Sequence, residues 1–132
     1  MTKYAIAIGL SGKIYENLIK TWKILEKEKK IKFISSRSPK PHIALTTGSA
    51  INEYKLKAIL KKINIKKFKI NSIGLALFIE KEPLLYLRWE KNKKLSDLFK
   101  IINKKTDKLL KKNQNFIIHH YGCLKQLLLG KI

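Results

Sequence analysis

Three histidines stand in two short apolar segments of this 132-residue chain. His42 sits near the start of Pro41-His42-Ile43-Ala44-Leu45-Thr46. His119 and His120 lie within Phe116-Ile117-Ile118-His119-His120-Tyr121-Gly122-Cys123. Imidazole, with an unperturbed pKa of about 6.5, is the side chain best suited to give and take protons near neutral pH. Both segments read as β-strands, so two strands delivering one histidine each to a shared cleft would make an acid–base pair. Residues i and i+2 of a strand share a face. His42, Ala44 and Thr46 are therefore expected to face the cleft together, with Ile43 and Leu45 in the core. His119 and His120 are neighbours and point to opposite faces, so only one of them can enter. With His119 inside, Tyr121 and Cys123 stand beside the cleft. With His120 inside, Gly122 stands there instead. We take His119 as the partner of His42 and keep His120 as the alternative.

These strands belong to a regular succession of elements. Tyr4 to Leu10 is an apolar strand ended by Ser11-Gly12. Ile14, Tyr15, Leu18, Ile19, Trp22 and Leu25 recur at helical spacing and predict a helix over 13–29. Residues 31–34 allow a short strand, and Ser35 to Pro41 is a polar, proline-broken loop that could form a rim over the site. The strand from His42 is expected to run to Thr47 and close at Gly48. A helix follows over 52–64, then one or two strands over 68–79, a turn at 80–83 and a strand over 84–89. Leu95, Leu98, Phe99, Ile102, Leu109 and Leu110 predict a helix over 93–112, broken by Asn113-Gln114-Asn115. Phe116 to Leu124 is the second histidine strand, and Leu127 to Leu129 a short last one. No linker divides the chain and no period repeats, although a helix followed by a histidine strand occurs once in each half. The expectation is one α+β domain over residues 1–132, sheet inside and helices outside.

Composition narrows the partners. Hydrophobic residues make up 45% of the chain, enough for a core, while the net charge is +21. Such a charge suggests an anionic partner, nucleic acid first. Yet only Arg37 and Arg88 among the 30 basic residues are arginine, and arginine is the residue that reads bases bidentately. Sequence-specific DNA recognition is thereby disfavoured. The abundance of Lys, Ile and Asn, all with AT-rich codons, also lets genome composition account for much of the charge. No apolar run approaches the roughly 20 residues of a membrane span, and the opening residues do not resemble a signal peptide. A single cysteine allows no intrachain disulfide, so a cytoplasmic location is the simplest expectation. Cys123 reads as an inert thiol rather than a nucleophile. Three histidines on two strands supply at most two ligands, short of a zinc site's three or four, so neither metal nor cofactor is expected. Trp89, beside Arg88, could stack a base or simply pack.

The order of elements and a histidine strand in each half resemble the two-histidine (2H) phosphoesterase superfamily, which includes LigT-like RNA 2′,3′-cyclic phosphodiesterases and 2′-5′ RNA ligases. Lys3 to Ile8 is similar to that family's opening strand, and Pro41-His42-Ile43-Ala44-Leu45 to its first signature. Phe68 to Trp89 resembles its central hairpin, and Leu95 to Leu124 its last helix and second signature. The resemblance implies two lobes of antiparallel sheet around a central cleft, helices outside, related by a pseudo-two-fold axis. It also implies a metal-independent phosphodiesterase acting on RNA or nucleotide 2′,3′-cyclic phosphates or 2′-5′ linkages. One histidine is then the general base and the other the general acid, each worth about 10²–10⁴-fold. The chain departs from the family where a threonine or serine follows each histidine by two residues. Ala44 stands at the first such position, and Tyr121 or Gly122 at the second. Tyr121 and Thr46 are the candidate replacements for orienting phosphate. Lys40 is a candidate phosphate contact, and Tyr4 either lines the cleft or packs. The partner is RNA or a small nucleotide, the oligomeric state a monomer, and the alternative reading a catalytically weakened RNA- or nucleotide-binding protein on the same fold. A third reading is a generic basic protein with structural histidines.

Overall fold

The computed structural model describes residues 3–29, 40–78, 84–111 and 125–131. His119, His120, Tyr121 and Cys123, and the strand expected around them, lie outside the described residues. So do the short strand expected at 31–34, the loop at 35–38 and the turn at 80–83.

Strand β1 (Lys3–Gly9) leads to helix α1 (Lys13–Lys29) and strand β2 (His42–Ala50). Helix α2 (Glu53–Lys61) is followed by strands β3 (Ser72–Phe78) and β4 (Leu84–Trp89), helix α3 (Lys93–Thr106), and strands β5 (Leu110–Lys111) and β6 (Lys125–Lys131). One sheet has the order β5-β2-β1-β6, and β3 and β4 form a second. The fold is thus α+β. The pairs β1–β2, β2–β5 and β3–β4 are antiparallel. The sheets are thus antiparallel as expected, apart from the pair β1–β6, which is parallel. No helix among the described residues is long and apolar enough to cross a membrane.

The core explains the arrangement. Tyr4, Ile6 and Ile8 of β1 are fully buried against Leu56 and Leu60 of α2 and Leu98 and Ile102 of α3. Leu98, Ile102 and Thr106 recur every four residues and so share one face of α3. The hydroxyl of buried Thr106 donates to the Ile102 carbonyl at 2.8 Å, which removes the cost of burying it. Asn52 caps α2 by accepting from the Lys55 amide at 3.0 Å. Asn92 caps α3 by accepting from the Leu95 amide at 3.1 Å. It also donates to the Lys69 carbonyl at 3.0 Å, tying the irregular 62–71 stretch to the helix start. Phe68 and Ile70, expected in a strand, instead lean half-buried on the core from that stretch. Trp89 packs half-buried in the same way.

Two glycines have specific work. A Cβ on Gly48 would lie 3.0 Å from the Lys111 carbonyl oxygen and 3.3 Å from Leu110 Cβ. Glycine here lets β5 approach, so β2 runs on to Ala50 rather than ending at Gly48. Gly74 has φ +136 where the β3–β4 register shifts, a conformation that side chains resist.

Candidate functional site

The site is built on the two central strands of the larger sheet. β1 presents Tyr4, Ile6 and Ile8 to the helices, so Lys3, Ala5, Ala7 and Gly9 alternate onto the other face. Residues paired directly across an antiparallel ladder share a face. Gly9 pairs with His42 and Ala7 with Ala44, so His42 and Ala44 stand on this second face. A Leu10 amide bond to the Pro41 carbonyl, 3.0 Å, carries the ladder one step past His42. His42 is thereby held by backbone pairing on both sides.

Its ring is also oriented. Nδ1 lies 2.8 Å from the Lys40 carbonyl oxygen. A carbonyl oxygen only accepts, so Nδ1 carries a proton and donates it. In the neutral ring the basic lone pair is then on Nε2, which is the atom that would take or deliver a proton. His42 is half-buried, Ala44 is exposed and Lys40 is exposed. Lys40 therefore serves the site first through its backbone, which fixes the histidine tautomer.

The register then shifts. Ile6 pairs with Thr46 and the next step pairs Ala7 with Ala44, leaving Leu45 as the extra residue of a β-bulge. Leu45 turns into the core, 4% exposed. Because one residue is inserted, Thr46 moves to the helix-packed face with Ile6 and Tyr4. The expectation that His42, Ala44 and Thr46 share a face holds for the first two and fails for Thr46. The hydroxyl that does return to the His42 face belongs to Thr47, opposite Ala5, and beyond it Ser49, opposite Lys3. Strand periodicity alone hides these two, because a leucine inside an apolar run gives no sign of a bulge. Thr47 is two β1 pairs beyond Ala44, about 13 Å from His42 along the strand direction.

Tyr4 does not line this face. It is fully buried on the helix side, and its hydroxyl makes no hydrogen bond of good geometry. The Glu53 carboxylate, and after it burial, push its phenol up to about 12. Among the described residues no group of three or more His, Cys, Asp or Glu is placed to hold a metal ion. Of the expected site residues, the structure thus brings His42, Ala44 and Lys40 together, and sets Tyr4 and Thr46 on the opposite face. No family model, curated protein or solved structure matches this chain.

Proposed function

We propose that the chain is a metal-independent phosphodiesterase that opens 2′,3′-cyclic phosphates or cleaves 2′-5′ linkages of RNA or nucleotides, with His42 as one member of a two-histidine pair. The observation that carries the reading is the setting of His42. Its tautomer is fixed through Nδ1 by the Lys40 carbonyl, and it stands half-buried at the end of β2 on the same face as exposed Ala44. In hydrolysis, one imidazole takes a proton from water while the water oxygen bonds to phosphorus. The bond from phosphorus to one ribose oxygen breaks, and the second histidine, protonated, gives its proton to that oxygen. His42 would act through Nε2 in either role. His119 is the proposed partner, with His120 as the alternative, and Tyr121 the proposed phosphate-orienting hydroxyl.

In this reading the two sheets are the floors of two LigT-like lobes with helices outside, and the protein works as a cytoplasmic monomer. A second reading, a nucleotide- or RNA-binding protein without efficient turnover, is favoured by Ala44. It occupies the place two residues past His42 and offers no donor to a phosphate oxygen. The test is incubation with a 2′,3′-cyclic mononucleotide and with a short RNA ending in a cyclic phosphate, in EDTA, beside His42→Ala. Turnover that persists in chelator and disappears in His42→Ala supports the enzyme. Absence of product at high protein concentration, with RNA affinity intact in both proteins, supports the binder.

A further inference from the structure

The lysines are not spread evenly over the helices. α1 mixes five lysines with Glu16, Glu26 and Glu28. From 104 to 111 the chain instead carries Lys104, Lys105, Lys108 and Lys111 against one acid, Asp107. The two lysines in the last turn of α3 suit the negative end of the helix dipole. That role does not extend to Lys108 and Lys111, which lie past the helix. All four are exposed.

This basic stretch is bonded to an exposed apolar one. The Ile51 amide donates to the Leu109 carbonyl at 3.0 Å. Ala50 and Ser49 pair with Leu110 and Lys111. The start of α2 therefore lies against the chain leaving α3. That start exposes two large side chains, Ile51 at 62% and Tyr54 at 89%. An aromatic ring this open has no packing role in the fold. Three residues past Ile51, which bonds to the basic stretch at Leu109, it supplies with those lysines the two components by which proteins hold single-stranded nucleic acid, a π-face for a base and positive charge for the phosphates. The near absence of arginine suits contact with the backbone more than reading of base edges.

We propose that this edge binds single-stranded RNA, with a base stacked on Tyr54 and flanking phosphates on Lys104, Lys105, Lys108 and Lys111. Lys111 pairs with Ser49 and so shares the face that carries His42. The separation along the strand is roughly 20 Å, six residue steps. A mononucleotide at His42 does not extend that far. If the phosphodiesterase reading above holds, the substrate is accordingly an RNA chain whose end reaches His42 while its body lies on this edge. Only that last step rests on the chemistry at His42.

The experiment is fluorescence anisotropy of a labelled RNA of about 12 nucleotides with the full chain. The proteins compared are the wild type, Lys104→Glu/Lys105→Glu/Lys108→Glu, Tyr54→Ala and Tyr54→Phe. All the Tyr54 and lysine changes are at exposed positions, and a thermal melt checks that each protein folds. Tyr54→Ala is expected to bind about 5- to 150-fold more weakly, the range for one base–aromatic stack, with Tyr54→Phe near wild type. The triple variant should flatten the slope of log K against log salt by about 2, roughly 0.7 per phosphate contact on a single strand. Anisotropy reads binding without turnover, which separates this surface from the chemistry: turnover can fail while binding stands. Wild-type affinity in Tyr54→Ala overturns the proposal whatever the lysines do. Equal competition by anionic phospholipid vesicles overturns it in favour of a membrane surface.

Discussion

Replacing Ala44 with threonine while replacing Thr46 with valine asks the strand which residue faces the chemistry. His42 and Ala44 lie on one face two positions apart, so their side chains are separated by about 7 Å along the strand, a span that a bound phosphate can bridge. Ala44 is exposed, so the added methyl and hydroxyl of threonine displace nothing. Threonine also suits a strand better than alanine does, and stability should hold or rise slightly. A preorganised donor to a developing negative charge is worth about 10²–10³ in rate. At an exposed position water competes for the same oxygen, so the lower end, about 10²-fold in kcat/KM, is expected for Ala44→Thr. Thr46 is paired with Ile6 on the helix side, so Thr46→Val should leave kcat/KM within about twofold. Any effect should appear in the melting temperature instead. The assay is steady-state hydrolysis of a 2′,3′-cyclic nucleotide in EDTA, with wild type and both variants in parallel and a thermal melt of each. A loss of turnover in Thr46→Val together with no gain in Ala44→Thr would refute the bulge at Leu45 and the face assignment that follows from it.

Two further changes test the frame around the site. Gly48→Ala places a Cβ 3.0 Å from the Lys111 carbonyl oxygen; backbone must move, and a loss of about 1–3 kcal/mol is expected from urea unfolding, with no loss refuting the close approach of β5. Tyr4→Phe removes a buried hydroxyl that has no hydrogen bond of good geometry, so stability at neutral pH should be unchanged or higher. The phenol is held up at about 12 in the folded chain against 10.0 in the free side chain. Between those values the unfolded state releases the proton while the folded state keeps it, so the wild type loses stability as pH rises from about 10 to 12. Tyr4→Phe should lack that portion of the alkaline loss, and identical melting curves from pH 9 to 12 would remove Glu53 and burial as its cause.

The sequence was legible where a single periodicity governed an element. The spacing of Ile14, Tyr15 and Leu18 predicts α1 over the residues it occupies. It was less legible where a distant partner set the boundary. Leu109 and Leu110 continue the α3 pattern, yet the helix ends at Thr106 because Leu110 is taken by the edge of β2. Gly48 reads as a strand end because glycine usually is one, and it is strand interior here because β5 needs the space. Both departures come from β5, two residues long, too short to leave a pattern of its own.

The bulge at Leu45 matters more for function, because it decides which hydroxyls share the His42 face. Read by alternation, Thr46 is the reserve donor and Thr47 a core residue. With one residue inserted the two exchange places, and the His42 face of β2 becomes His42, Ala44, Thr47 and Ser49. The donor nearest His42 is then missing, while Thr47 and Ser49 occupy the same face closer to Lys111. Ser49 is buried and Thr47 half-buried, so Thr47 is the more accessible of these two hydroxyls. One comparison is then decisive for the strand: Thr47→Val should weaken binding of an RNA of about 12 nucleotides and leave turnover of a cyclic mononucleotide unchanged. Equal losses on both substrates would mean that the face of β2 is a single small pocket rather than a track.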